Sequence, residues 1–234
     1  MLKVVIYAVV ASAALPLGAA IGARFSIPKR VVAMALGFAA GALISAVAFE
    51  LFDDAFDHGG AWTSGLAFLA GATVFVLIDS WLEKRKTRRH QAGGSIGFAL
   101  LAAVTLDGVP ENLAMGVSLI EGGGVALLVA IFASNLPEAL VGAEKMKEAG
   151  ISARNSLLIW TAAAVLLAAA VIVGYVLLDG VSGKTLAIPL GFAAGAVLAS
   201  LADTLMPEAF AEGGVTVAYA TALGFLLSYL LAAA

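Results

Sequence analysis

Hydrophobic residues lie along this chain in long runs, separated by short groups of Gly, Pro and charged residues. The runs cover roughly 3–23, 31–52, 61–82, 96–119, 123–144, 155–178, 185–208 and 213–233. Each is close to the ~20 apolar residues a helix needs to cross the hydrocarbon core of a bilayer. The pattern predicts an all-α membrane protein of eight transmembrane helices. Residues 1–234 form one transmembrane domain, with only short connections left over.

Composition sharpens that picture. Hydrophobic residues make up 62% of the chain and charged residues 12%, with a mean hydropathy of +1.04; soluble domains carry about twice that share of charge. Glycine, at 26 residues, and abundant alanine suit closely packed membrane helices better than a barrel. The absence of cysteine excludes disulfides and thiolate metal sites. The opening run, with Lys3 before it and small residues within it, has features of a secretory signal. Arg24, Lys29 and Arg30 follow it, however, on the wrong side for a cleaved signal, so it is expected to be a permanent first span.

The cations set an expected orientation. Arg24, Lys29 and Arg30, then Lys84, Arg85, Lys86, Arg88 and Arg89, then Lys145, Lys147 and Arg154 occupy alternate loops, leaving only Lys3 and Lys184 of the 13 on the other side. Lys and Arg near span ends are retained in the cytoplasm. Both termini are therefore expected outside a plasma or inner membrane. The basic run from Lys84 to His90 is read as a topology anchor beside membrane lipids, not as a nucleic-acid site.

The string LGFAAGA occurs twice, at Leu36–Ala42 and Leu190–Ala196, and acidic residues follow each copy. Glu50, Asp53 and Asp54 follow the first; Asp203 and Glu208 follow the second. The loop charges send the second span outward and the seventh inward, so the copies are expected to form an inverted repeat, a common transporter architecture. The pairs Gly37/Gly41 and Gly191/Gly195 let helices approach closely, within one chain or between the protomers of a homodimer.

Candidate chemistry sits in two segments: Asp107-Gly108-Val109-Pro110-Glu111-Asn112 in the fourth run, and Ser134-Asn135-Leu136-Pro137-Glu138-Ala139 in the fifth. A charged side chain at the bilayer centre costs about 2.5–3.5 kcal/mol on insertion scales, so carboxylates there usually face an interior cavity and have a function. Pro110 and Pro137 should bend their helices and free the carbonyls near Leu106 and Ala133. Spacing puts Asp107 with Glu111, and Ser134 with Glu138, on single helix faces. Asp107, Glu111, Ser134, Asn135 and Glu138 would then form an oxygen cage whose mutual repulsion a divalent cation relieves. Protonated carboxylates joining two helices, or a proton relay, are the alternatives.

These segments resemble the fourth and fifth spans of the ZIP (Zrt/Irt-like) divalent-metal transporters, which carry His-Asn-x-Pro-Glu-Gly and His-Glu-x-Pro-Glu-Gly. Aligned on Pro-Glu, the first motif's histidine, asparagine and glutamate fall on Asp107, Gly108 and Glu111. The second motif's histidine, acidic residue and glutamate fall on Ser134, Asn135 and Glu138. Leu113 to Val117, LAMGV, also matches. The resemblance implies eight spans with external termini, spans 1–3 and 6–8 inverted around a central pair 4–5, and alternating access by rocking or an elevator motion. It implies a divalent cation as substrate. An intramembrane enzyme, in which a metal–carboxylate cage activates water, is the further alternative, but the sequence offers no separate nucleophile–base pair and no substrate-shaped motif, so no enzymatic activity is expected.

The departures change the expected cargo. Both motif histidines and both terminal glycines are missing, and the loop before the fourth run is short, with His90 alone. Oxygen ligands suit Mn, Mg or Ca better than Zn, so Mn, Mg, Fe and Zn all stand as candidate substrates with zinc no longer the default. A homologue that has ceased to transport, and serves as a sensor or assembly partner, is the alternative the lost histidines motivate. Elsewhere, Glu50, Asp53, Asp54, Asp57 and His58 are read as a solvated external loop, or otherwise a cation-gathering entrance. Asp203, Glu208 and Glu212 are read as solvated helix-end residues, or otherwise an exit. Asp79 is expected to pair with a nearby cation, and His58 and His90 to stand isolated.

Overall fold

A computed structural model describes residues 1–90, 96–181 and 183–233. The side chains of residues 83, 85–90, 96–104 and 106–107 lie outside the described set, which removes Asp107 and most of the basic run from structural comment. Among the described residues the fold is all helical. Helix α1 spans Leu2–Gly22 and α2 Lys29–Ala46, followed by a π-turn over Val47–Phe52. Next come α3 (Asp53–His90), α4 (Ile96–Ser118), α5 (Val125–Glu148) and α6 (Ala153–Leu178). Helix α7 (Gly183–Ser200) leads through a second π-turn, Leu201–Leu205, into α8 (Met206–Gly213) and α9 (Val217–Ala232).

Five described stretches are long and apolar enough to cross a membrane: Leu2–Gly22, Lys29–Leu82, Val125–Glu148, Ala153–Leu178 and Gly183–Ala232. Two of these are 54 and 50 residues long, over twice the ~20 residues of a single crossing. Each long stretch is broken at a glycine whose backbone an L side chain rarely adopts. Gly60 has φ 68 and ψ 175, and Gly214 has φ 62 and ψ −153. At Gly60 the chain doubles back, because the Ser64 hydroxyl donates to the Ala55 carbonyl at 2.6 Å. A continuous helix would separate residues nine apart by ~13 Å.

Alanine is the commonest residue of the interior, beside buried Leu such as Leu43, Leu127 and Leu190 and the buried Trp160, while many other Leu, Val and aromatic side chains face outward. Val9, Leu69, Leu77, Leu177 and Leu230 are all exposed, as suits a protein surrounded by hydrocarbon and not by water. Small residues inside let backbones touch. Gly18 and Gly22 of α1 lie against the backbone of Leu136 and Leu140 on α5, and Gly116 and Gly174 join α4 to α6. Both pairs run parallel, since contacts advance together along the two helices.

The two LGFAAGA strings make matching contacts. A Cβ on Gly41 would overlap the Thr221 carbonyl oxygen of α9; one on Gly195 would overlap the Phe68 carbonyl oxygen of α3. In return, Gly224 abuts the carbonyl of Phe38, and Gly71 that of Phe192. Phe38 and Phe192 are the phenylalanines of the two strings. Each π-turn begins six residues after the second glycine of its string, from 41 to 47 and from 195 to 201. Gly60 and Gly214 each lie 19 residues beyond the same glycines. The small-residue stripes are thus occupied within the chain, α2 with α9 and α3 with α7.

Helices α1, α4, α5 and α6 pack chiefly among themselves; α2 pairs with α9 and α3 with α7, and these two pairs are joined through the π-turns. The groups meet where α2 crosses α5 and α7 crosses α4. The candidate chemistry lies on α4 and α5, the two helices that make these crossings.

Candidate functional site

Helices α4 and α5 run unbroken through Pro110 and Pro137 and pack on one another. Glu111 is 2% exposed, and Ser134 and Asn135 are fully buried. Glu138 is half-buried. The Ser134 hydroxyl donates to the Ile131 carbonyl of its own helix at 3.0 Å, leaving its oxygen lone pairs for another partner. Asn135 Nδ2 is buried with no hydrogen-bond partner among the described residues. Asp107 lies outside the described side chains. Among the described residues no three His, Asp or Glu side chains gather into a group that could hold a metal.

Asn112, which stands at the position of the first motif's terminal glycine, carries a polar side chain that the sequence pattern does not single out. It is fully buried; Nδ2 donates to the Gly108 carbonyl at 2.8 Å, and Oδ1 has no partner among the described residues. Its neighbours one turn away in each direction, Gly108 and Gly116, contact Leu167 and Val171 of α6. Asn112 therefore shares the α4 face turned toward α6.

In the acidic cluster Asp53 and Asp57 are exposed, as a solvated segment expects, but the segment is not a loop. Asp53, Asp54, Asp57 and His58 are helical, and Glu50 is buried. The preceding π-turn inserts an extra residue and rotates Glu50 inward. There its carboxylate accepts from the backbone N–H groups of Ala126 and Leu127, each at 3.1 Å, at the first turn of α5. These amides have no partner within their own helix. His58 is not isolated: Nδ1 lies 2.7 Å from the Asp54 carbonyl and Nε2 lies 3.4 Å from Glu121. Burial, then the Glu121 carboxylate, raises the Asp54 carboxyl to about 6 from an ordinary 3.8.

No family model and no curated protein matches this chain. Functional assignment therefore rests on its own residues.

At the opposite end of the molecule, a cavity of about 210 Å³ opens between α2, α5 and α8. Val32, Leu36 and Val141 line its apolar part, and Glu144, Glu208 and Glu212 are among its acids. Lys29 pairs with Glu212 at 3.1 Å and Lys145 with Glu208 at 3.5 Å, both exposed. Glu208 and Glu212, read as solvated or exit-lining, do line a cavity; Asp203 is exposed. Asp79 has a partner within the structure.

Proposed function

We propose that this chain is a ZIP-like transporter that passes a divalent metal cation across a membrane through Asp107, Glu111, Ser134, Asn135 and Glu138. One observation carries the proposal: Glu111 is a glutamate almost wholly withdrawn from solvent, on a helix that packs against another with the same Pro-Glu pair. A carboxylate so placed needs a counter-charge or a proton. Ser134 and Asn135 add oxygens beside Glu138, and no thiol or imidazole lies among the five residues, which favours Mn or Mg over Zn while leaving Fe and Zn as competitors.

The scaffold we propose has eight crossings with external termini, spans 1–3 and 6–8 forming an inverted repeat around the pair 4–5. Three features support it. The reciprocal glycine–carbonyl contacts of the two LGFAAGA strings are one; the equally spaced π-turns are another; the breaks at Gly60 and Gly214 are the third. Alternating access then moves the α1/α4/α5/α6 group against the α2/α3/α7/α9 group. The cavity between α2, α5 and α8 opens on the proposed cytoplasmic side.

Calorimetry with MnCl₂, MgCl₂ and ZnCl₂ on the detergent-solubilised protein tests the site. Binding of Mn should be lost in Glu111→Ala and Glu138→Ala. Absence of any binding at saturating metal would instead favour a homologue that no longer transports.

A further inference from the structure

We propose that Glu50 is the external latch of this protein, closing the outer side of the path to Glu111 and Glu138 by capping α5 from the opposite helix group. The inference rests on the alternating-access reading above.

Helix α5 has no side-chain cap of its own; the residue before it is Gly124, at φ 102. Its first-turn amides would be left unpaired in a buried setting. Glu50 supplies both acceptors, one carboxylate oxygen to Ala126 N–H and the other to Leu127 N–H. The cap comes from a residue on the continuation of α2, which packs against α9 through Gly37, Gly41 and Gly224. Helix α5 belongs with α1, through Gly18 and Gly22. The bond therefore spans the seam between the two groups.

At their other ends the same two helices line a cavity together with α8. They run antiparallel, so the end of α2 meets the start of α5, while Val32 and Leu36 near the start of α2 face Val141 and Glu144 near the end of α5 across the 210 Å³ cavity. The closed end carries two buried charge-assisted bonds, with the His58–Glu121 contact beside them. The open end carries the exposed Lys145–Glu208 pair at 3.5 Å. Exposed pairs hold weakly, whereas hydrogen bonds to a buried carboxylate hold strongly. This asymmetry fits one state of a two-state cycle, shut outside and open inside. On this reading, opening the outer side draws Leu127 away from Glu50.

The chain lacks cysteine, so single reporters need no background removal. Ala130→Cys, buried one turn below the latch, and Val141→Cys, beside the cavity, are labelled with a water-soluble thiol reagent in proteoliposomes without metal. In Glu50→Ala, labelling at position 130 should rise about tenfold and labelling at 141 should fall. Glu50→Gln keeps one acceptor oxygen and should give a smaller shift in the same directions. A parallel rise at both positions would mean that Glu50 merely holds α5 in place and would overturn the latch. No change at either position in a folded variant would also overturn it. Reciprocal labelling in a protein that carries no divalent cation would refute the transport reading and leave the latch standing; Mn uptake without reciprocal labelling would refute the latch alone.

Discussion

Gly41 lies so close to the Thr221 carbonyl oxygen that a methyl group in place of its hydrogen would overlap that atom. Gly195 stands in the same relation to Phe68. Gly41→Ala and Gly195→Ala must therefore push α2 from α9 and α7 from α3.

Each of these substitutions should destabilise the protein by about 1–3 kcal/mol, the usual cost of overpacking. Gly65 provides the control, because a Cβ there meets nothing within 4 Å. Gly65→Ala in a helix should be neutral or stabilising by up to about 1 kcal/mol. Thermal unfolding in detergent, followed by tryptophan fluorescence, checks all three variants.

Gly60 and Gly214 present a different case, since open space surrounds both but their backbones lie in a region that only glycine adopts readily. Gly60→Ala and Gly214→Ala should each cost on the order of 1–3 kcal/mol through backbone strain alone. Ser64→Ala, which removes the hydroxyl clasp to Ala55, should cost about 1 kcal/mol. The same melts measure these losses.

Asp54, in the first turn of α3 before the break at Gly60, has its carboxyl raised from 3.8 to about 6. A folded-state value above the unfolded one means that the native protein holds the proton more tightly. Its contribution to stability is full below about pH 4 and is lost as pH rises through 6. Asp54→Asn should accordingly raise the melting temperature above pH 6 and converge with the parent at low pH. The gain should be about 1 kcal/mol after solvent screening, or about 2–4 °C. Melts from pH 4 to pH 8 test the sign.

Much of the helical framework was legible in the sequence, because runs of about 20 apolar residues leave a chain in hydrocarbon little choice but helix. The repeated LGFAAGA string also pointed to close packing, though not to its partners. Whether those glycines met another span or a second copy depended on contacts far apart in sequence, such as Gly41 with Thr221. Within the acidic cluster, the burial of Glu50 was not legible, for a local reason. A π-turn has no composition of its own, so nothing in VAFELF announced that Glu50 would rotate inward to cap α5. Asn112 was hidden by its alignment with a motif glycine, although its burial against α6 follows from its spacing between Gly108 and Gly116. The Pro-Glu pairs were visible at once, since carboxylates are conspicuous in apolar runs.

Flux through the Pro-Glu pair tests the account most directly. Purified protein in liposomes should take up Mn²⁺ down an imposed gradient, faster than protein-free liposomes do. In Glu111→Ala and Glu138→Ala proteins that melt cooperatively, the rate should fall by at least about tenfold, the loss of more than 1.4 kcal/mol of stabilisation at the site. Uptake that persists at the parent rate in both folded variants would contradict the assignment of these two carboxylates to the transport path.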